Sequence, residues 1–126
     1  MIAVIVEGFS DHDAIRRVYS PKDVQTIVTN GTKFNNRIRE QIQEALDMRL
    51  PTFILSDPDK AGDDLASMVK SNFSKISRIR VDPDKAKQER MFRVKYGVEY
   101  CSDEYLKELL EGAVQYGRSK KEMYGL

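Results

Sequence analysis

The chain has 126 residues, one cysteine and a formal net charge of +1, a length that suits one domain with a real hydrophobic core. Its 40% hydrophobic and 33% charged residues, with only 7 Gly and 4 Pro, exclude the fibrous and disordered classes, and the lone Cys101 excludes an intrachain disulfide or a cysteine-based zinc cluster, so that a metal would be held mainly by oxygen. The apolar runs from Met1 to Val6 and from Phe53 to Leu55 are too short to span a membrane, and no basic region precedes the first; both features read as a cytoplasmic protein with no membrane partner and no targeting signal.

In chain order, Ile2 to Val6 is a run of small and β-branched apolar residues, which predicts a strand buried on both faces. It ends at Glu7-Gly8. Ser10 is then placed to cap a helix, with Asp13 in its first turn, an apolar face of Ala14, Ile15 and Val18, and Pro21 as its stop. Val24 to Thr29 predicts a second strand and Asn30-Gly31-Thr32 a turn. Ile38, Ile42, Ala45 and Leu46 then recur at helical spacing until Pro51. Thr52 to Ser56 predicts a third strand, which runs into Asp57-Pro58-Asp59; Leu65, Met68, Val69 and Phe73 mark a third helix, and Ile76, Ile79 and Val81 fit a fourth strand. This β-α-β-α-β-α-β order predicts an α/β fold with a parallel sheet covered on both faces. Beyond Pro83, Lys85 to Arg93 reads as a basic helix or a loop, and Tyr96 to Glu99 as a short extended piece. Ser102 is placed to cap a last helix striped by Tyr105, Leu106, Leu109 and Leu110, after which the polar tail from Tyr116 is expected to fray or to pack on a partner.

Ligands of open parallel sheets bind beyond the carboxyl ends of the strands, and Glu7, Asn30 and Asp57 all fall at such ends. If the first and third strands are neighbours, Glu7 shares a crevice with Asp57 and Asp59. Two residues apart in extended chain, these aspartates can point to one side, and Pro58 stiffens the backbone between them. Three hard oxygen ligands suit magnesium, which keeps several waters and completes its shell with substrate phosphate. Asp11 either supports such a site or occupies the first turn of its helix, whereas Asp63 and Asp64 read as helix-start charges.

Gly8, Gly31 and Gly62 follow strand ends, where a missing side chain lets a phosphate approach backbone N–H groups, or simply permits a turn. Lys33, after the Asn30-Gly31 turn, either reaches a phosphate or is solvated. From Lys75 to Lys95 there are eight basic residues against three acidic ones; such a stretch is a phosphate-contacting face or plain solvated surface, and Lys85 and Lys87 are its best candidates for contact. Phe92 and Tyr96, set among these cations, read as core residues or as platforms for a base. His12 and Cys101 receive no role.

The runs Val4-Ile5-Val6-Glu7-Gly8 with Ser10-Asp11, and Phe53 through Asp57-Pro58-Asp59 to Gly62, resemble the two signature motifs of Toprim domains. That resemblance implies a compact, Rossmann-like, four-stranded parallel sheet between helices, here with a C-terminal helix added. It implies magnesium, with manganese able to substitute, at Asp57 and Asp59, with Asp11 close by. Glu7 would act as a general acid or base or as a further ligand. Within the family, Thr29-Asn30-Gly31-Thr32, Asp57-Pro58-Asp59 with Gly62, and Gly97-Val98-Glu99-Tyr100 are similar in order to the bacterial ribonucleases that mature 5S ribosomal RNA, from about Ile2 to about Leu110. Glu99 matches that pattern and reads equally as a surface residue.

The expectation is a single domain over residues 1–126, with a core at about 1–82 and a basic segment and helix at 83–126, and without the second domain those ribonucleases carry. Its expected chemistry is magnesium-dependent cleavage of phosphodiester bonds, with structured RNA favoured over DNA. Two alternatives are a non-catalytic nucleic-acid-binding or accessory subunit whose protein partner recognises the substrate, and primase-like nucleotidyl transfer with a partner.

Overall fold

The computed structural model describes residues 1–31 and 34–124, the last four of these by backbone alone; Thr32 and the candidate Lys33 lie outside the described residues. Strand β1 (Ile2–Val6) is the centre of a parallel sheet of order β2-β1-β3-β4, with β2 (Val24–Val28) on one side and β3 (Thr52–Ile54) and then β4 (Ser77–Arg78) on the other. All five residues of β1 are completely buried, because the sheet is covered on both faces and alternate side chains enter opposite cores. Ile2, Val4 and Val6 join Ala14 and Ile15 of helix α1 (Phe9–Val18) and Leu106, Leu110 and Val114 of helix α4 (Asp103–Tyr124). Ala3 and Ile5 face Ile38 and Ile42 of helix α2 (Asn36–Asp47) and Leu65 and Val69 of helix α3 (Lys60–Asn72). The architecture is therefore the expected four-stranded parallel sheet between helices. The Tyr19 hydroxyl ties α1 to α4 by donating to Glu111 and sharing its contact with the Lys107 carbonyl at 3.1 Å.

Several local expectations are corrected. Gly8, not Ser10, stands at the N-cap of α1, and Asp11 three residues on accepts the Gly8 N–H at 3.1 Å. Ser102 does accept the Tyr105 N–H, at 3.1 Å, at the start of α4. Met68 is exposed and Ala66 takes the inner position of α3, two places earlier on the same helix. The fourth strand pairs over two residues only. Ile79 N–H still reaches Ile54 O at 2.9 Å, but Ile76 packs into one core and Val81 into the other, so the chain leaves the sheet between them.

The basic helix or loop expected over Lys85 to Arg93 is for the most part a strand pair. A 3-10 turn at Pro83–Lys85 leads into an antiparallel hairpin of β5 (Lys87–Arg90) and β6 (Arg93–Tyr96). Alternation of long polar residues with Val94 and Tyr96 favours a strand once a partner strand lies alongside. The expected extended piece at Tyr96 to Glu99 is divided: Tyr96 closes β6, while Val98–Tyr100 form a 3-10 turn around the buried Val98. Nor does the chain fray at Tyr116; α4 continues to Tyr124, and Gly117 lies against Met1 and Ile2.

A carboxylate crevice at the ends of β1 and β3

Because β1 and β3 are adjacent and in register, their carboxyl ends deliver Glu7 and Asp57 side by side, as the sequence required of a shared site. The Leu55 N–H donates to Ile5 O at 2.9 Å, carrying the ladder beyond β3, and the Asp57 N–H then donates to Glu7 Oε1 at 3.1 Å. The other side of the crevice comes from β2: Thr29 N–H donates to Val6 O at 2.9 Å and Gly31 N–H to Glu7 O at 3.0 Å. Asn30 and Gly31 turn there with φ of 58° and 117°, left-handed values that asparagine and glycine tolerate best.

Glu7, Asp11, Asp57 and Glu99 thus line one shallow crevice of about 340 Å³, together with Gly8, Ser10, Asn30 and Gly31. Asp59 is turned differently. Its Oδ1 accepts the Gly62 N–H at 2.7 Å and caps α3, and it is not among the residues lining the crevice, although its charge reaches both Glu7 and Asp57. Gly62 is required by packing: a Cβ there would lie 1.9 Å from the Asp57 carbonyl oxygen. Buried Ser56 donates to Gly62 O at 2.9 Å and fastens the same loop.

Three of the crevice carboxylates, and Asp59 beside them, each commit an oxygen to one backbone N–H. Glu7 takes that of Asp57, Asp11 that of Gly8, Asp57 that of Val98 at 2.8 Å, and Asp59 that of Gly62. Such bonds hold one oxygen of each group in place, and of the four only Glu7, Asp11 and Asp57 also line the crevice. Burial, opposed by the Asp57 N–H bond and reinforced by the charges of Asp57 and Asp59, raises the Glu7 pKa. Burial likewise raises Asp57, helped by Asp59 and Glu99. Burial first, and then the charges of Asp57, Glu7 and Glu99, push Asp11 up to about 7.

Two residues that sequence reasoning missed hold Asp57 in place. Arg78, at the end of β4, donates from Nη2 to Asp57 O at 3.1 Å and from Nη1 to Asp63 Oδ1 at 2.6 Å. Val98 supplies the N–H that grips Asp57 Oδ1; the Gly97-Val98-Glu99-Tyr100 segment marked the place in sequence but not this backbone role. An arginine at the carboxyl end of an edge strand was the one available signal for Arg78. Asp63 is engaged by that arginine and Asp64 by Lys60, in keeping with helix-start charges. His12 Nδ1 lies 2.6 Å from Thr26 Oγ1 on β2.

The basic stretch is not one face. Lys75 lies beside Pro51 and Thr52, next to the amino end of β3, and Arg78 is committed to Asp57 and Asp63. Lys87 is paired with Glu89 at 3.1 Å and Asp84 at 3.7 Å, while Lys85 is exposed on the preceding turn.

The donor set suits a hard divalent cation, since it consists of carboxylates whose mutual repulsion a cation would relieve. Among the described residues no three such side chains converge into a ready-made metal cage. Glu7, Asp11, Asp57 and Glu99 are the crevice carboxylates that could offer it oxygens.

Comparison with known proteins agrees with this architecture. Residues 2–93 match the family model described as the Toprim domain. The chain is 31% identical to Ribonuclease M5 of Staphylococcus aureus over 85% of its own length and 56% of that protein's. It is 30% identical to Ribonuclease M5 of Bacillus anthracis over 86% and 55%, so it spans little more than half the length of these relatives. A solved small Toprim domain protein from Bacillus stearothermophilus superposes with a TM-score of 0.67 at 22% identity, covering 88% of this chain and 83% of that one. With two motifs at adjacent strand ends and a family match over most of its length, the chain belongs to the Toprim domain family.

Proposed function

We propose that this protein cleaves phosphodiester bonds in structured RNA, with magnesium, or manganese in its place, at the crevice between β1 and β3. The observation that carries the reading is the crevice itself: Glu7, Asp11, Asp57 and Glu99 converge where phosphate ligands of parallel sheets bind, and burial, reinforced by their mutual repulsion, raises the pKa of the first three. A phosphate would not enter such a site unless a cation lay between. The similarity to Ribonuclease M5 supports RNA as the substrate class.

When bound, the cation supplies charge stabilisation for the phosphoryl oxygens and activation of water. The protein's residues do the rest. Glu7, steadied by the Asp57 N–H and raised in pKa, is suited to take up or release a proton. Asp57, clamped by the Val98 N–H and by Arg78 on its carbonyl, orients ligand oxygens, and Asp59 keeps α3 in place behind it. The first turn of α1 after Gly8 and the Asn30-Gly31 turn offer backbone to a phosphate, and Lys33 and Lys85 are further candidates for contact. Lys87, already ion-paired, is a weaker one. Residues 1–126 act as one Toprim unit in the cytoplasm; among the described residues no helix is long and apolar enough to cross a membrane.

The test is incubation with stem-loop RNA, single-stranded RNA and duplex DNA in magnesium, with the ends of any product mapped, for wild type, Glu7→Ala and Asp57→Ala. Cutting of the stem-loop RNA that both variants lose is the expected result. Metal binding without cutting, together with recovery of a stable partner, would replace this reading with that of an accessory subunit.

A further inference from the structure

The β5–β6 hairpin stands out from the molecule. Of residues 87–96 only Gln88 is not exposed, and the two turn residues, Met91 and Phe92, are 88% and 95% exposed. Nothing in the fold calls for them. The favoured two-residue hairpin turns need positive φ and select Asn, Asp or Gly, whereas Met91 and Phe92 both have negative φ and pack on no core.

The pairing register also sorts the charges. Directly opposed residues share a face and successive residues alternate. With Gln88 opposite Lys95 and Arg90 opposite Arg93, one face carries Gln88, Arg90, Arg93 and Lys95 and no acidic residue. Lys87, Glu89, Val94 and Tyr96 fall on the other, where Lys87 and Glu89 pair. Among the described residues Arg90, Arg93 and Lys95 make no ion pair with a carboxylate; the one side-chain bond here joins Arg90 Nε to Gln88 Oε1 at 3.4 Å. Opposed arginines repel, so the face is built at a cost that a polyanion would remove.

The base of the hairpin is wired to the crevice. Ala86 and Val98, at its two feet, are fully buried; Gly97 N–H donates to Ala86 O at 2.8 Å, and the next residue's N–H, that of Val98, holds Asp57 Oδ1. Phe92 is six residues from Val98, about 20 Å at the rise of an extended strand. The Arg90 charge reaches Tyr100, the neighbour of Glu99 in the crevice.

We propose that the hairpin of residues 87–96 is a nucleic-acid finger: Phe92, flanked by Met91, stacks on an unpaired base of the substrate RNA, while Arg90, Arg93 and Lys95 hold the phosphates leading from that base to the crevice. Aromatic stacking beside a basic track is how single-stranded segments of RNA are held. The choice of RNA rests on the function proposed above, whereas the finger itself rests on the exposed tip and the sorted charges.

Fluorescence anisotropy of a labelled stem-loop RNA with a single-stranded flank, in EDTA so that cutting cannot intervene, tests the finger. Phe92→Ala is expected to weaken binding about five- to hundredfold. Arg93→Ala with Lys95→Ala is expected to flatten the dependence of log Kd on log salt by about 0.7 for each phosphate that the variant no longer neutralises. Val94→Thr, on the opposite face, retains wild-type affinity, and matching thermal melts establish that the variants are folded. Unchanged affinity and salt slope in folded Phe92 and Arg93/Lys95 variants overturn the finger, as does a wild type that binds no RNA, or tip variants that alter only self-association in sedimentation. The two proposals fail separately: finger-dependent binding without cutting in magnesium refutes only the nuclease reading, and cutting that ignores the finger variants refutes only the finger.

Discussion

Replacing Asp11 with asparagine should stabilise the metal-free protein at alkaline pH. Asp11 is only 6% exposed and faces the charges of Asp57, Glu7 and Glu99, which with burial carry its pKa from 3.8 to about 7. A pKa raised by folding means that the folded state binds the proton more tightly. The associated stability is fully present below pH 4, falls away between pH 4 and 7, and is gone above 7. A shift of about three units corresponds to roughly 4 kcal/mol at most, and relaxation with residual solvation brings the expectation to about 2 kcal/mol. Asparagine has no charge to bury and its Oδ1 can still accept the Gly8 N–H. Thermal and urea melts in EDTA should therefore find Asp11→Asn equal to wild type near pH 4 and more stable by about 2 kcal/mol at pH 8, roughly 8 °C in Tm for a domain of this size. Millimolar magnesium should narrow that gap, because it stabilises the wild type more. A variant no more stable at pH 8, or a gap independent of pH, would refute the argument that uncompensated charge is concentrated in the crevice.

Gly62→Ala should be far more damaging than a surface glycine replacement, since its Cβ would meet the Asp57 carbonyl at 1.9 Å and must push the loop aside. A loss of at least about 3 kcal/mol in urea melts is expected, and a loss within about 1 kcal/mol would mean that the loop yields freely. Cys101, buried and pushed up to about 11 by burial and by the charges of Asp57 and Asp11, is a neutral thiol at pH 8. Its reaction with a thiol reagent should be at least about a hundredfold slower in the native protein than in denaturant; equal rates would place it at the surface.

The sheet and the pairing of Glu7 with Asp57 were legible in the sequence because both follow from continuous apolar runs that end on carboxylates. A strand such as Ile2–Val6, buried on both faces, has few alternative readings. Gly62 was legible as important but not as to why: its closeness to the Asp57 carbonyl arises from the loop, not from its neighbours in sequence. The cap of α1 was misplaced because a glycine N-cap makes no side-chain bond, and the bond from the Gly8 N–H back to Asp11 leaves only a weak signature. Asp59 was read as a partner of Asp57 in one crevice, whereas the Gly62 N–H competes for its oxygen. The hairpin was hidden because strand pairing depends on a partner, and residues 85–93 alone carry a helix-compatible mix of charged residues. Phe92 was assigned more readily to the core than to the surface, since an aromatic side chain in a sequence ordinarily buries.

The most direct test of the central claim is single-turnover cleavage of a stem-loop RNA by wild type and Asp57→Asn as magnesium is raised from zero. Asparagine keeps the size of the side chain and can still accept the Val98 N–H, but it removes the charge. Cutting that appears only with magnesium and falls by at least about a hundredfold in Asp57→Asn, with RNA binding in EDTA unchanged, is the predicted result. Equal cutting by both proteins, or cutting that persists in EDTA, would contradict it.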